Sequence, residues 1–382
     1  MNYIPRKISP AIERGARYFP VVVITGPRQS GKSTLCKHLF ADYAQYNLED
    51  LGLAENIGHD PKGFLSRCGD KVLIDEIQHV PELFSYIQLA VDENPDRRFV
   101  LTGSSNFALM EKITQSLAGR AALFTLLPMA LNELPQSYID SPTSQLLYNG
   151  FYPSVVTDYR PADMFYPNYY STYVERDLHS LKTISNLSQF QTFIRLVAAR
   201  VGTEFNASQI SVETGVTAPT IRAWMSILQA SYIAFLLPPY YAKINKRLTK
   251  TPKIYFYDTG LLTYLLGIEE PSQLNTHPLK GGVFENLAII ELYKQRLNEG
   301  KLPNICYYRE NSGRETDIMQ VFGETLNIYE VKASQTWNKS FIRNIIYLKE
   351  LFGTKIKESA VIYDGETLPP NTINIRQLTK YF

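Results

Sequence analysis

At 382 residues the chain is longer than one ordinary hydrophobic core, and about 150 residues per domain implies two or three units. Hydrophobic and charged contents of 45% and 20% exclude a disordered chain, and a formal net charge of +2 is too small to imply a polyanionic partner by itself. Cys36, Cys68 and Cys306 form no CxxC or Cys/His pattern, which excludes a disulfide framework and a zinc site. The opening residues lack the apolar core of a signal peptide and no later stretch reaches bilayer length, so the reading is a cytoplasmic protein without a membrane partner.

From about residue 18 to 127 short apolar strands alternate with amphipathic stretches, the pattern of a parallel sheet with crossover helices. Strands are expected at Val21–Thr25, Ala44–Asn47, Lys71–Asp75, Phe99–Thr102 and Ala122–Leu126. Directly behind the first strand stand Gly26, Pro27, Arg28, Gln29, Ser30, Gly31, Lys32 and Ser33, with Thr34 in the helical run that follows. Strand, glycine-rich loop and helix in that order form a phosphate cradle: the loop turns backbone N–H groups inward, at a helix N-terminus that already favours negative charge. Lys32 would bridge the β- and γ-phosphates of ATP and the Ser33 hydroxyl would hold Mg²⁺.

The third strand ends in Asp75 and Glu76, a Walker B pattern that places Asp75 toward the Mg²⁺ shell and Glu76 toward the attacking water. After the fourth strand, Ser104 and Ser105 occupy a sensor position facing the γ-phosphate. Arg120, in the run Ser116-Leu-Ala-Gly-Arg120, is a candidate for stabilising transition-state charge, in cis or across a subunit interface; no spacing rule separates this from an ordinary surface arginine.

From Pro128 the composition shifts to Tyr, Pro and Asn, as in a helical lid and linker, and Tyr169 to Leu181 reads as a helix carrying Glu175, Arg176 and Asp177 on a solvated face. Residues 188–264 then show a helix bearing Phe190, Phe193, Ile194 and Val197. A brief helix broken at Gly215 and a second helix opened by Thr217 follow, which is a helix-turn-helix pattern. A hairpin of Ile233–Leu237 with Lys253–Tyr257 would make it a winged helix. DNA is the candidate partner, through Arg222 in the second helix and through Lys243, Lys246, Arg247 and Lys250 at the wing tip; a protein-contact or packing role is the alternative.

The last segment places Glu285 near the start of a helix, Asp317 at the start of the second strand of a hairpin, and Glu330 and Lys332 on one face of a third strand. Asp317 and Glu330 would bind Mg²⁺ and Lys332 would polarise water for phosphodiester cleavage, with Glu285 as a further catalytic carboxylate. Pairing of the carboxylates with Arg309 and Arg314 is the competing reading.

Together, Gly26 to Ser33, Leu73 to Glu76, Leu101 to Ser105 and Ser116 to Arg120 resemble the prokaryotic AAA-type (P-loop) ATPases that carry a carboxyl-terminal domain of unknown function. That resemblance implies an α/β architecture: a P-loop ATPase domain (1–135), a helical lid or linker (136–187), a winged-helix domain (188–268) and a domain similar to PD-(D/E)XK nucleases (269–382). Glu285, Asp317, Glu330 and Lys332 match that superfamily's acidic and lysine positions, although Thr316 stands where its proline would be. The expectation is a self-associating, Mg²⁺-dependent ATPase coupled to a DNA-directed, nuclease-like module. Two alternatives remain: a nucleotide-gated switch with a docking domain, and a small-molecule kinase.

Overall fold

A computed structural model describes residues 3–104, 115–175, 186–240, 251–310, 312–366 and 369–380. Within it the chain divides into two compact units. The first comprises residues 1–129, 230–232 and 297–301, and the second holds the remainder.

The first unit is built on a five-stranded sheet of order β2-β3-β4-β1-β5, formed by Val21–Thr25 (β1), Ala44–Asn47 (β2), Lys71–Asp75 (β3), Arg98–Thr102 (β4) and Ala121–Thr125 (β5). Every neighbouring pair is parallel. The central strand Val-Val-Val-Ile-Thr is buried along its whole length, as a strand covered on both faces must be. Its side chains alternate between two cores. Val21 and Val23 pack with Ile74, Phe84 and Leu101, whereas Val22 and Ile24 pack with Ile8, Ile12, Leu35 and Val100. The covering helices are Ser9–Tyr18 (α1), Lys32–Leu39 (α2), Leu51–His59 (α3), Pro61–Arg67 (α4) and Leu83–Glu93 (α5). Parallel pairing brings the carboxyl ends of β1, β3 and β4 to one edge, so the loops after Thr25, Asp75 and Thr102 converge there.

In the second unit, the segment expected as a lid or linker is a packed helical layer. Leu146, Leu147, Phe151, Tyr152, Phe165, Tyr166 and Tyr169 are all buried, and the Tyr152 hydroxyl donates to that of Tyr169 at 2.9 Å. Buried Asp258 ties this layer together by accepting from Phe151 N, Leu261 N and the Tyr166 hydroxyl. Of the helix expected over Tyr169 to Leu181, Tyr170–Glu175 is a π-helical turn that continues the α-helix Ala162–Tyr169, and Arg176 and Asp177 lie outside the described residues.

Helices Leu187–Ala198, Ala207–Thr214 and Ala218–Ala230 follow, then an antiparallel pair of Ala234–Leu237 (β6) with Lys253–Phe256 (β7). Gly215 stops the second helix in the left-handed region, φ 71°, where a residue without Cβ is favoured. The final sheet has the order β12-β11-β10-β9-β8. Its strands are Ile305–Arg309 (β8), Glu315–Phe322 (β9), Thr325–Lys332 (β10), Ile356–Tyr363 (β11) and Thr372–Asn374 (β12). β8 to β10 form an antiparallel meander, and β11 and β12 add in parallel. Among the described residues no helix is long and apolar enough to cross a membrane.

Candidate functional site

The loop after β1 has the shape its glycines dictate. Gly26 sits at φ 145°, and a Cβ there would come within 2.1 Å of the Leu126 carbonyl oxygen, so no other residue fits without moving the end of β5. The Lys32 ammonium folds back over the loop, donating to Gly26 O at 3.1 Å and Pro27 O at 2.9 Å. Burial pulls it below the ordinary lysine value, against the opposing attraction of Glu76 and Asp75. Ser33 lies in the first turn of α2 and Asp75 at the end of β3, and their hydroxyl and carboxylate are the hard oxygen donors that Mg²⁺ takes alongside phosphate oxygens.

The Walker B pair is held from β4. The Thr102 hydroxyl donates to Asp75, and the Glu76 amide donates to the same hydroxyl at 3.3 Å. Glu76 itself adopts φ 56°, the left-handed region that a non-glycine residue occupies only when its surroundings enforce it. Gln78 provides part of that constraint: its Nε2 lies against the Glu76 carboxylate and donates to Ser104 Oγ at 3.1 Å, while its Oε1 is buried without a partner. Glu76, Gln78 and Ser104 thus form one bridge between the loops after β3 and β4. Sequence reading named Glu76 and Ser104 but not Gln78, although its place two residues beyond Glu76 was the available signal.

Arg6 was also missed. Buried beneath the loop, it donates to Ser30 O at 2.8 Å and Leu127 O at 2.7 Å, fixing the cradle to the end of β5. No motif marks an arginine that acts on backbone carbonyls.

Arg120 is placed elsewhere. Val21 pairs with Ala121 and Thr25 with Thr125, so Arg120 precedes β5 at the edge opposite the cradle, about 15 Å away at about 3.3 Å per residue. There it forms a bidentate pair with Asp92, at 2.6 and 2.8 Å. Of the two roles left open, in cis or across a subunit interface, the parallel register disfavours the first, because it puts the side chain at the far end of its own sheet. Ser105, Lys243, Lys246, Arg247 and Lys250 lie outside the described residues.

In the second unit, Glu285, Asp317, Glu330 and Lys332 are brought together as expected. Lys332 Nζ lies 2.8 Å from Glu330 Oε1 and 3.9 Å from Asp317 Oδ2. Burial pushes the Glu285 carboxyl up to about 8 and the Glu330 carboxyl up to about 7, with Asp317 adding to both, and burial raises Asp317 as well. Neither arginine named as a competing partner meets these three acids. Arg309 pairs with Glu204 and Glu315 at 3.6 and 3.5 Å, and Arg314 stacks over Tyr347. The partner that sequence reading overlooked is Lys253, on β7, whose ammonium lies against Glu315 and 3.6 Å from Glu285. The chain's own donors therefore already engage the acids, and among the described residues no group of three or more His, Cys, Asp or Glu is spaced to hold a metal ion.

Residues 18–135 match the model of an AAA domain, residues 142–272 a domain of unknown function (DUF8612), and residues 280–381 another (DUF4143). An uncharacterized protein of Mycobacterium tuberculosis is 28% identical over 367 residues, covering 94% of this chain and 80% of its own. One from Methanocaldococcus jannaschii is 23% identical, covering 81% and 74%. Among solved structures, the Walker-type ATPase of Pyrococcus abyssi is similar with a TM-score of 0.42 and 17% identity, covering 69% of this chain and 96% of that one. A signal transduction ATPase with numerous domains from Pyrococcus horikoshii gives a TM-score of 0.27 at 13% identity, covering 75% and 44%. The AAA-domain match covers the residues that carry the glycine loop and the Walker B pair.

Two outcomes follow from these geometries. Arg6→Ala removes two hydrogen bonds from a charged donor and leaves two loop carbonyls without it, so it should lower stability by about 2–4 kcal/mol and weaken nucleotide binding; denaturant unfolding and equilibrium nucleotide titration measure both. In the second unit, folding raises the Glu285 and Glu330 values, so the folded chain binds more protons than the unfolded one between the ordinary carboxyl range and about pH 8. Their contribution to stability is therefore largest below the ordinary range and lost as pH rises through about 7 to 8. Denaturant unfolding at pH 5, 6.5 and 8 should show that decline, flattened in Glu285→Gln.

Proposed function

We propose that the chain binds ATP with Mg²⁺, hydrolyses it, and uses the cycle as a conformational switch. The observation that carries this reading is the convergence of Lys32, Ser33, Asp75, Glu76 and Ser104 at one sheet edge, beside a glycine loop that a single Cβ would obstruct. Lys32 would leave the loop carbonyls for the β- and γ-phosphate oxygens. Ser33 and Asp75 would hold Mg²⁺, which when bound neutralises charge on those phosphates. Glu76 would orient the attacking water, and Ser104 would sense the γ-phosphate. Gln78, bonded to both, would set where the Glu76 carboxylate rests. Arg120 is retained as a charge-stabilising residue only across an interface between copies of the chain.

A switch is favoured over an ATP-coupled nuclease by the occupied state of the carboxyl-terminal acids. The DNA-directed reading rests on taking the three helices and the β6–β7 pair as a winged helix, and on Arg222, the basic residue named for that contact that is described.

Hydrolysis and binding assays on variants test the proposal. Lys32→Ala should lose both nucleotide binding and turnover. Glu76→Gln should keep ATP binding with turnover at least about a hundredfold lower. Gln78→Ala should lower kcat by about tenfold while KM stays within about twofold, because it positions Glu76 without touching nucleotide. Native-like turnover in Glu76→Gln would remove the assigned role of that residue.

A further inference from the structure

The acids that sequence marks for a metal already have cations of the chain among them. Lys253 ends the β6–β7 pairing on the second strand and is only 3% exposed. Its ammonium lies against Glu315 and 3.6 Å from Glu285. Lys332 holds Glu330 and Asp317 from the other side. Neutral donors engage the same acids. Tyr255 donates its hydroxyl to Glu285, Val331 N donates to Asp317 at 2.7 Å, and Thr316 and Asn344 each donate to Glu330 at 3.2 Å.

We propose that Lys253 stands in for a divalent cation, so that this cluster excludes metal and works as an internal ionic clamp rather than a phosphodiesterase centre. The position of the ammonium supports it. Lys253 meets Glu285 and Glu315, Lys332 meets Asp317 and Glu330, and Arg309 is shared between Glu315 and Glu204. A divalent ion entering that set would meet a buried ammonium, so it enters only if Lys253 leaves. Without Lys253, Glu285 and Glu315 lose the cation they share and are open to a divalent ion. Carboxylates beside a buried ammonium compensate its lost hydration. Here burial lowers the Lys253 value, and Glu285 and Glu315 outweigh it and raise the net.

The test is a Mn²⁺ titration of the full chain followed by electron paramagnetic resonance of free Mn²⁺. No nucleotide is added, so the outcome does not depend on whether the first unit hydrolyses ATP. Lys253→Met should bind one Mn²⁺ at least tenfold more tightly than the native chain, and adding Glu285→Gln should abolish the gain. Equal binding by native and Lys253→Met, or no gain in the variant, overturns the proposal. Should Lys253→Met fail to fold by circular dichroism, the native chain and Asp317→Asn decide: identical titrations support the clamp, whereas Mn²⁺ binding lost in Asp317→Asn refutes it.

Discussion

Parallel pairing of β1 against β4 and β5 is the constraint on which the nucleotide site depends. Once Val21 aligns with Phe99 and Ala121, the chain has no freedom over which loops share an edge. β3 then aligns with β4, and the ends of both carry Asp75 and Thr102 to the level of the glycine loop. Everything that follows is local chemistry: a hydroxyl on β4 orients an acid on β3, and a buried arginine before α1 holds the loop to β5. The same register sends Arg120 to the far edge, where it settles on Asp92. One pairing pattern therefore both assembles the site and sets Arg120 apart from it within the chain.

The two polar clusters use the same residue types and differ in what closes them. At the nucleotide site the Lys32 ammonium is held by carbonyls of its own loop, neutral partners that phosphate oxygens can outcompete. In the carboxyl-terminal sheet, Lys253 and Lys332 are held by carboxylates, partners that match their charge. A lysine on carbonyls is poised for an anion, whereas one between carboxylates is already neutralised. Residue identity is alike in the two places, and the partner's charge separates a binding site from a clamp.

That distinction also marks where sequence reading stops. Strands β1 and β3 were legible to the residue, because apolar runs bounded by proline, glycine or aspartate leave little choice of ends; the polar, largely exposed β2 has no such run, although its bounds also match. Lys32, Ser33, Asp75 and Glu76 were legible because they follow strands in a fixed order. Glu330 and Lys332 were legible from period-two alternation, and they do meet at 2.8 Å. Lys253 was not legible: it lies 32 positions before Glu285 and 62 before Glu315, and no periodicity relates partners on separate strands and helices. Arg6 was hidden for a related reason, since its acceptors are carbonyls, which every residue has. The reading of residues 136–187 as a helical lid or linker rested on composition, and composition does not show burial: Tyr and Pro suggest loop character, yet Tyr148, Tyr152, Tyr166 and Tyr169 fill a core.

Lys253 also bears on what counts as a domain here. It lies in the segment 142–272, whereas Glu285 and Glu315 lie in the segment 280–381, so the boundary between the two sequence families runs through one ionic cluster. Asn286 adds to the tie, accepting from Phe256 N at 2.6 Å and donating to Phe256 O at 3.0 Å, so that the helix Lys280–Asn298 satisfies the backbone of β7. Separating the segments would leave acids, an ammonium and a peptide group buried without partners, a cost that only joint folding avoids. Apart from residues 230–232 and 297–301, both segments accordingly fall within one compact unit, so that any movement of β7 must be carried into the carboxyl-terminal sheet or break the clamp.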